Sequence, residues 1–189
     1  VYRKEIFNSG TKTMPVGNTS YNSIIITNKT GTTDTFSVRV SDAVLTNGTS
    51  GTAMNNVVNR TWTILKKNTN TAPLSSYGVD LTFKWLPNQV VGTVSYPILF
   101  AYEAGTGWVQ QTSASISSTD STVSYLGYKG TLNNTMFMLS NPAPTITSFS
   151  PIFGGNGTVD TIFGTNLSNP TAVSYGGTPV TSFYTNSGA

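Results

Sequence analysis

The chain has 189 residues, of which 37% are hydrophobic and only 9% charged, with a formal net charge of +3 and neither His nor Cys. An average soluble domain carries about 25% charged residues, but nine Tyr, nine Phe and three Trp exclude a disordered chain, which is poor in aromatic and β-branched residues. Without His or Cys there is no Ser-His-Asp or Cys-His triad, no thiolate or imidazole metal site and no disulfide framework. The basic residues are scattered, which excludes the clustered footprint of a nucleic-acid binder.

No apolar run reaches the length of a membrane-spanning helix, so no membrane insertion is expected. The chain opens at Val1 without Met and reads as a mature or excised piece. No window sustains apolar residues at helical spacing with caps; alternation with a period of two recurs instead. Residues 1–7 predict a strand closed by the turn Asn8-Ser9-Gly10. Met14-Pro15-Val16-Gly17 is a short extended piece before a turn. Tyr21 to Thr27 predicts a strand, Asn28-Lys29-Thr30-Gly31 a turn, and Thr35 to Val40 a second strand with Phe36, Val38 and Val40 on one face. Their adjacency predicts a hairpin.

Residues 46–56 and 67–77 read as polar loops flanking a strand over Arg60 to Lys66, which turns Trp62 and Ile64 inward. Gly78 to Leu86 is the clearest strand, with Val79, Leu81, Phe83 and Trp85 facing one way and Asp80, Thr82 and Lys84 the other. Tyr96, Ile98, Phe100 and Tyr102 repeat that pattern up to Gly105-Thr106-Gly107. Trp108-Val109, Val123 to Tyr128 and Met136 to Leu139 complete a set of roughly eight to ten strands separated by turns, the mark of a β-sandwich or barrel. Uneven loop lengths favour the sandwich. The expectation is an all-β chain with a β-sandwich over residues 1–140 and a Pro-rich linker over residues 141–144. Pro142 and Pro144 fix extended geometry there, and a second β domain follows over residues 145–189.

In that tail, Ile146 to Pro151, Gly157, Gly164 to Leu167 and Val173 to Gly177 form a distinctive series. An ITSFSP-like start is followed by a glycine loop, a strand ending in G-T-N-L, and V-x-Y-G-G. The series resembles the opening of an IPT/TIG domain, an immunoglobulin-like fold. It stops at Ala189 where further strands of such a domain are expected, so the second domain reads as truncated. Earlier, Met14 to Gly17, Arg60-Thr61-Trp62-Thr63-Ile64, Asp80 to Trp85 and the Tyr102 and Trp108 pair resemble a β-sandwich module of large secreted or surface proteins of the Bacteroidetes. That resemblance implies an extracellular or cell-surface location and attaches no functional residue.

With His and Cys absent, catalysis would rest on the carboxylates Glu5, Asp34, Asp42, Asp80, Glu103, Asp120 and Asp160. A glycosidase needs two of them within about 5–10 Å. Asp80 and Glu103, on strands read as adjacent, are the conceivable pair, but both read as solvated strand-face residues, so no enzyme is expected. Asp34, Asp42 and Asn55-Asn56 could converge on Ca²⁺, yet no EF-hand spacing is present; the expectation is ordinary turn residues, no metal and no cofactor. Trp62 and Trp85 are in phase with apolar neighbours and read as core. Trp108, beside a glycine turn, and Tyr77, in a polar loop, are the candidate ligand-stacking residues. Asn-x-Ser/Thr recurs at Asn18, Asn28, Asn47, Asn59, Asn133, Asn156 and Asn166. The bacterial resemblance makes Ser121 and Thr161, each preceded by Asp, the alternative O-glycosylation candidates. The resulting expectation is a non-catalytic structural or adhesive module: a stalk, spacer or fibre subunit. Its partners would be other copies or neighbouring domains of the parent. The alternatives are a polysaccharide-binding module or an accessory domain of a secreted glycan-degrading protein.

Overall fold

The computed structural model describes residues 1–68, 78–111, 121–155, 157–167, 170 and 172–184. The chain forms two units, Val1–Asn141 and Pro142–Ala189. In the first, the strands are β1 (Tyr2–Ile6), β2 (Thr11–Met14), β3 (Ile24–Asn28), β4 (Asp34–Asp42), β5 (Val57–Lys66), β6 (Val79–Lys84), β7 (Val90–Val91), β8 (Ile98–Glu103), β9 (Gly107–Gln110), β10 (Thr122–Tyr128) and β11 (Thr135–Ser140). One sheet runs β1-β4-β5-β11-β8-β9, with β7 added against the start of β5; the other runs β10-β6-β3-β2. All pairings are antiparallel. A 3-10 turn spans Pro87–Gln89.

The two sheets close a sandwich because each contributes one apolar face, as alternation along its strands dictates. Ile24 and Ile26 of β3 and Leu81 and Phe83 of β6 meet Phe36, Val38, Trp62, Ile64 and Phe137 of the larger sheet. Trp62 stands edge-on to Phe83 at 5.3 Å. Trp85 belongs to the same core, as its phase in the sequence implied. Gly78 enters β6 at φ +64°, and a Cβ there would collide with the Tyr128 carbonyl oxygen, so only glycine fits that approach.

Two expectations fail. The strands on either side of Asn28-Lys29-Thr30-Gly31 do not form a hairpin: β3 lies in the smaller sheet and β4 in the larger. Asn28 redirects the chain. Its buried side chain donates to the carbonyls of Ile6 (2.9 Å) and Thr32 (2.7 Å) and accepts from the N–H (3.2 Å) and hydroxyl (2.7 Å) of Thr30. The apolar faces of β3 and β4 consequently oppose each other across the core rather than lying side by side. The phase expected of β8 is also inverted. Leu99 and Ala101 face the sandwich core, whereas Ile98 and Phe100 join Val44, Val57 and Met138 in a second cluster on the reverse face. Both sides of β8 are apolar, so alternation alone does not choose between them. Val44 and Met54, from the connection between β4 and β5, cover the outer side.

The second unit pairs β12 (Thr145–Ser150) with β13 (Thr161–Thr165), and β14 (Ser174–Tyr175) with β15 (Thr178–Pro179). Gly176 and Gly177 join the short hairpin at φ +55° and +86°, the pair of positive φ angles that a type I′ turn requires. Every residue of β12 is exposed, and so are all but one of β13.

Tyr128 lies in the core of the first unit, edge-on to Phe137 at 5.1 Å. Burial, then the charges of Glu103 and Tyr125, push its phenol well above the ordinary value of 10.0. A group whose folded pKa is raised contributes stability that is complete below its unfolded value and is lost as pH climbs toward the folded one. Unfolding free energy should therefore fall at alkaline pH, and Tyr128→Phe should flatten that fall. Denaturant titrations on either side of the ordinary value measure it, and an equal fall in both proteins would assign the effect to another group.

Candidate functional site

Where β12 ends, Phe149 meets Tyr175 of β14 edge-to-face, with centroids 6.4 Å apart and planes at 89°. These rings, with Pro151, Ile152, Phe153, Gly154, Gly155, Thr158 and Asp160, line a cavity of about 260 Å³. A tight turn shapes one wall: Thr158 donates its N–H to the Gly155 carbonyl at 3.1 Å, and its Oγ1 accepts the Gly155 N–H at 2.8 Å. The Asp160 side chain beside Tyr175 is the main reason its phenol is held above its ordinary value. The Asp160 Oδ1 is buried without a hydrogen-bond partner. Such an acceptor carries a penalty of about 1–3 kcal/mol, which a donor from a bound molecule would relieve. The cavity thus combines an unpaired carboxylate oxygen with aromatic edges and apolar walls, the mixture that fixes small polar ligands. With a single carboxylate it has the groups for binding a hydroxyl or amine but not for the paired acid–base chemistry of glycoside hydrolysis.

Asp160 and Tyr175 were not expected to meet. Asp160 figured in the sequence as one of seven carboxylates and as the acid preceding Thr161 in a glycosylation-like motif, and only the placement of the β14–β15 hairpin brings the two together.

The residues singled out from the sequence fall elsewhere. Trp108, in β9, is half-buried on the reverse face of the larger sheet; it packs on the second apolar cluster, edge-on to Tyr102 at 5.3 Å. Its Nε1 donates to the Leu45 carbonyl at 2.8 Å. Both its ring and its donor are thus engaged in holding the β4–β5 connection down, as expected for a structural aromatic. Tyr77 lies outside the described residues. Ser121 is half-buried at φ +56°, and its carbonyl accepts the Trp85 N–H at 3.1 Å. Thr161 is exposed at the start of β13, opposite Ser150.

The carboxylates considered for shared chemistry do not converge. Asp80 and Glu103 sit on strands of different sheets; Asp80 binds Lys29 Nζ at 2.6 Å and accepts the Gly127 N–H at 2.9 Å. Asp34 and Asp42 occupy opposite ends of β4. Asp34 takes Lys66, while Asp42 takes Arg60 at 3.1 Å and Asn18 at 2.8 Å. Asn55 and Asn56 bind neighbouring backbone N–H groups. Among the described residues no group of three or more acidic side chains could hold a metal ion.

Comparison of the chain with family models, with curated proteins and with solved structures gave no match.

Because Trp108 is built into the packing, Trp108→Ala should cost stability rather than ligand affinity. A fully buried Trp costs about 3–5 kcal/mol on truncation, and a half-buried one about half of that. Denaturant unfolding should show this loss, with retardation in polysaccharide affinity gels unchanged; the opposite result would return Trp108 to ligand contact.

Proposed function

We propose that the chain is a non-catalytic structural or adhesive module of a secreted or surface-exposed bacterial protein, serving as a stalk, spacer or fibre subunit. The observation that carries this reading is where the charges of the first unit go. Lys66–Asp34 and Arg60–Asp42 each join β4 to β5, and Lys29–Asp80 joins the β3–β4 crossover to β6. These acids brace one chain segment against another, and they do so without sulfur, so the bracing is indifferent to the redox state of the surroundings. In the second unit, the β12–β13 pairing and the diglycine hairpin support a reading as the opening of an IPT/TIG immunoglobulin-like domain. The uncovered Ile146, Ile152 and Phe153 of that unit supply surface for contact with neighbouring domains or other copies. Protease shaving of intact source cells tests the placement: peptides of this chain should appear in the shaved fraction. Their appearance only after cell lysis would overturn it.

A second reading, glycan binding, is favoured by one specific feature, the unpaired Asp160 Oδ1 beside Phe149 and Tyr175. On that reading Asp160→Asn and Tyr175→Ala abolish retardation by polysaccharide in a native gel and leave the unfolding transition of the first unit unchanged. Unretarded wild-type chain across neutral and acidic polysaccharides removes the reading.

A further inference from the structure

Asp34 opens β4 and Lys66 closes β5, and their side chains are 0% and 3% exposed. The register sets Lys66 opposite Phe36, so Asp34 lies on the diagonal from Lys66, on the core-facing side of the sheet and within reach of a long side chain. The two carboxylate oxygens have different partners. Oδ2 faces Lys66 Nζ. Oδ1 accepts the Thr35 N–H at 2.6 Å and both the backbone N–H and the side-chain amide of Asn68 at 3.2 Å, the Asn68 N–H being shared with Oδ2 at 3.3 Å. Lys66 Nζ is steered further by a bond to the Asn68 carbonyl at 2.9 Å.

We propose that Lys66 and Asp34 close an intramolecular amide cross-link between Nζ and Cγ, tying β4 covalently to β5. The ammonium first passes a proton to Oδ2, which leaves a neutral amine against a carboxylic acid. Nζ attacks Cγ, and the negative charge that develops on Oδ1 is met by N–H groups already aimed at it. A second proton moves from Nζ to the departing hydroxyl. The Cγ–Oδ2 bond breaks, water leaves, and Oδ1 returns to a carbonyl. The amide keeps one N–H; one water is released and nothing else is consumed.

The surroundings favour this outcome in three ways. In water the ionised forms of amine and acid oppose condensation, but burying two charges is itself costly and the amide removes both. The register holds nucleophile and electrophile together, so the step is effectively unimolecular. A dry site also withholds the water that hydrolysis of the amide requires. The proposal is independent of the extracellular placement argued above, since the cross-link contains no sulfur and would form in any compartment.

Mass spectrometry of the purified full chain under denaturing conditions tests it. The expected mass is one water below that of the sequence, with loss of tryptic cleavage after Lys66 and a branched peptide joining Lys66 to Asp34. Asp34→Asn should shed ammonia instead of water, and Lys66→Arg should retain its full sequence mass. A folded wild-type chain at full mass, cleaved normally after Lys66, overturns the proposal whether or not the variants fold. A missing water that maps to any other residue overturns it equally.

Discussion

The ladder between β4 and β5 is the constraint on which the first unit depends. It runs from Phe36 opposite Lys66 to Asp42 opposite Arg60, and an ion pair closes it at each end. β1 builds on the far side of β4 and β11 on the far side of β5, while Trp62, near the middle of β5, reaches across the core to Phe83. Burying the Lys66–Asp34 pair is not in itself a gain. The desolvation of two charges offsets most of their attraction, whereas removing one partner costs about 3–5 kcal/mol. What the pair contributes is register. A slip of one residue between β4 and β5 would turn the apolar set outward and separate two charges that the interior tolerates only together.

At the other end of the ladder, Arg60 joins the two sheets. Its Nε donates to Asn22 Oδ1 at 3.0 Å and one Nη to Ser20 Oγ at 3.1 Å, while the other Nη reaches Asp42. Asn22 in turn donates to Gln89 Oε1 at 2.5 Å, and Gln89 Nε2 returns to Ser20 Oγ and to Asn22 Oδ1. The Asn22 carbonyl accepts the indole N–H of Trp62 at 3.2 Å. The residues leading into β3, the 3-10 turn, β4 and β5 are therefore held by one network in which each named group has a partner. A half-satisfied network would be worse than an apolar core, so these polar residues specify one arrangement of the two sheets.

The sequence makes legible what depends on periodicity. β6 alternates without ambiguity, so phase alone assigns Val79, Leu81, Phe83 and Trp85 to the core, and Trp62 with them. It leaves illegible what depends on partners far along the chain. Ile98 to Ala101 offers two apolar faces, and the inward one is decided by Val44 and Met54 folding over the other. Asn28 looks like a turn residue, yet it turns the chain between sheets because Ile6 and Thr32 present carbonyls to it. Lys66, Asp34, Asn22 and Gln89 carry the composition of a solvated surface and are buried because each meets a partner many residues away. The same holds at the candidate site: nothing in the spacing of Asp160 and Tyr175 forecasts that they line one cavity.

The two units differ in how completely their side chains are partnered. In the first, apolar faces oppose each other and three carboxylates are ion-paired. In the second, β12 and β13 expose Ile146, Phe149 and Phe163, and Phe153 is 82% exposed. Two-stranded pieces of this kind are marginal in water without a face to bury, so their order draws on whatever covers those side chains. Surfaces that gain by being covered are where recognition has most free energy to use, and the unpaired Asp160 oxygen adds a polar demand to the apolar one. Among the described residues, ion-paired bracing is thus found in the first unit and exposed apolar side chains with an unpaired carboxylate oxygen in the second. A ligand or partner stands to gain most at the second unit, and a brace at the first.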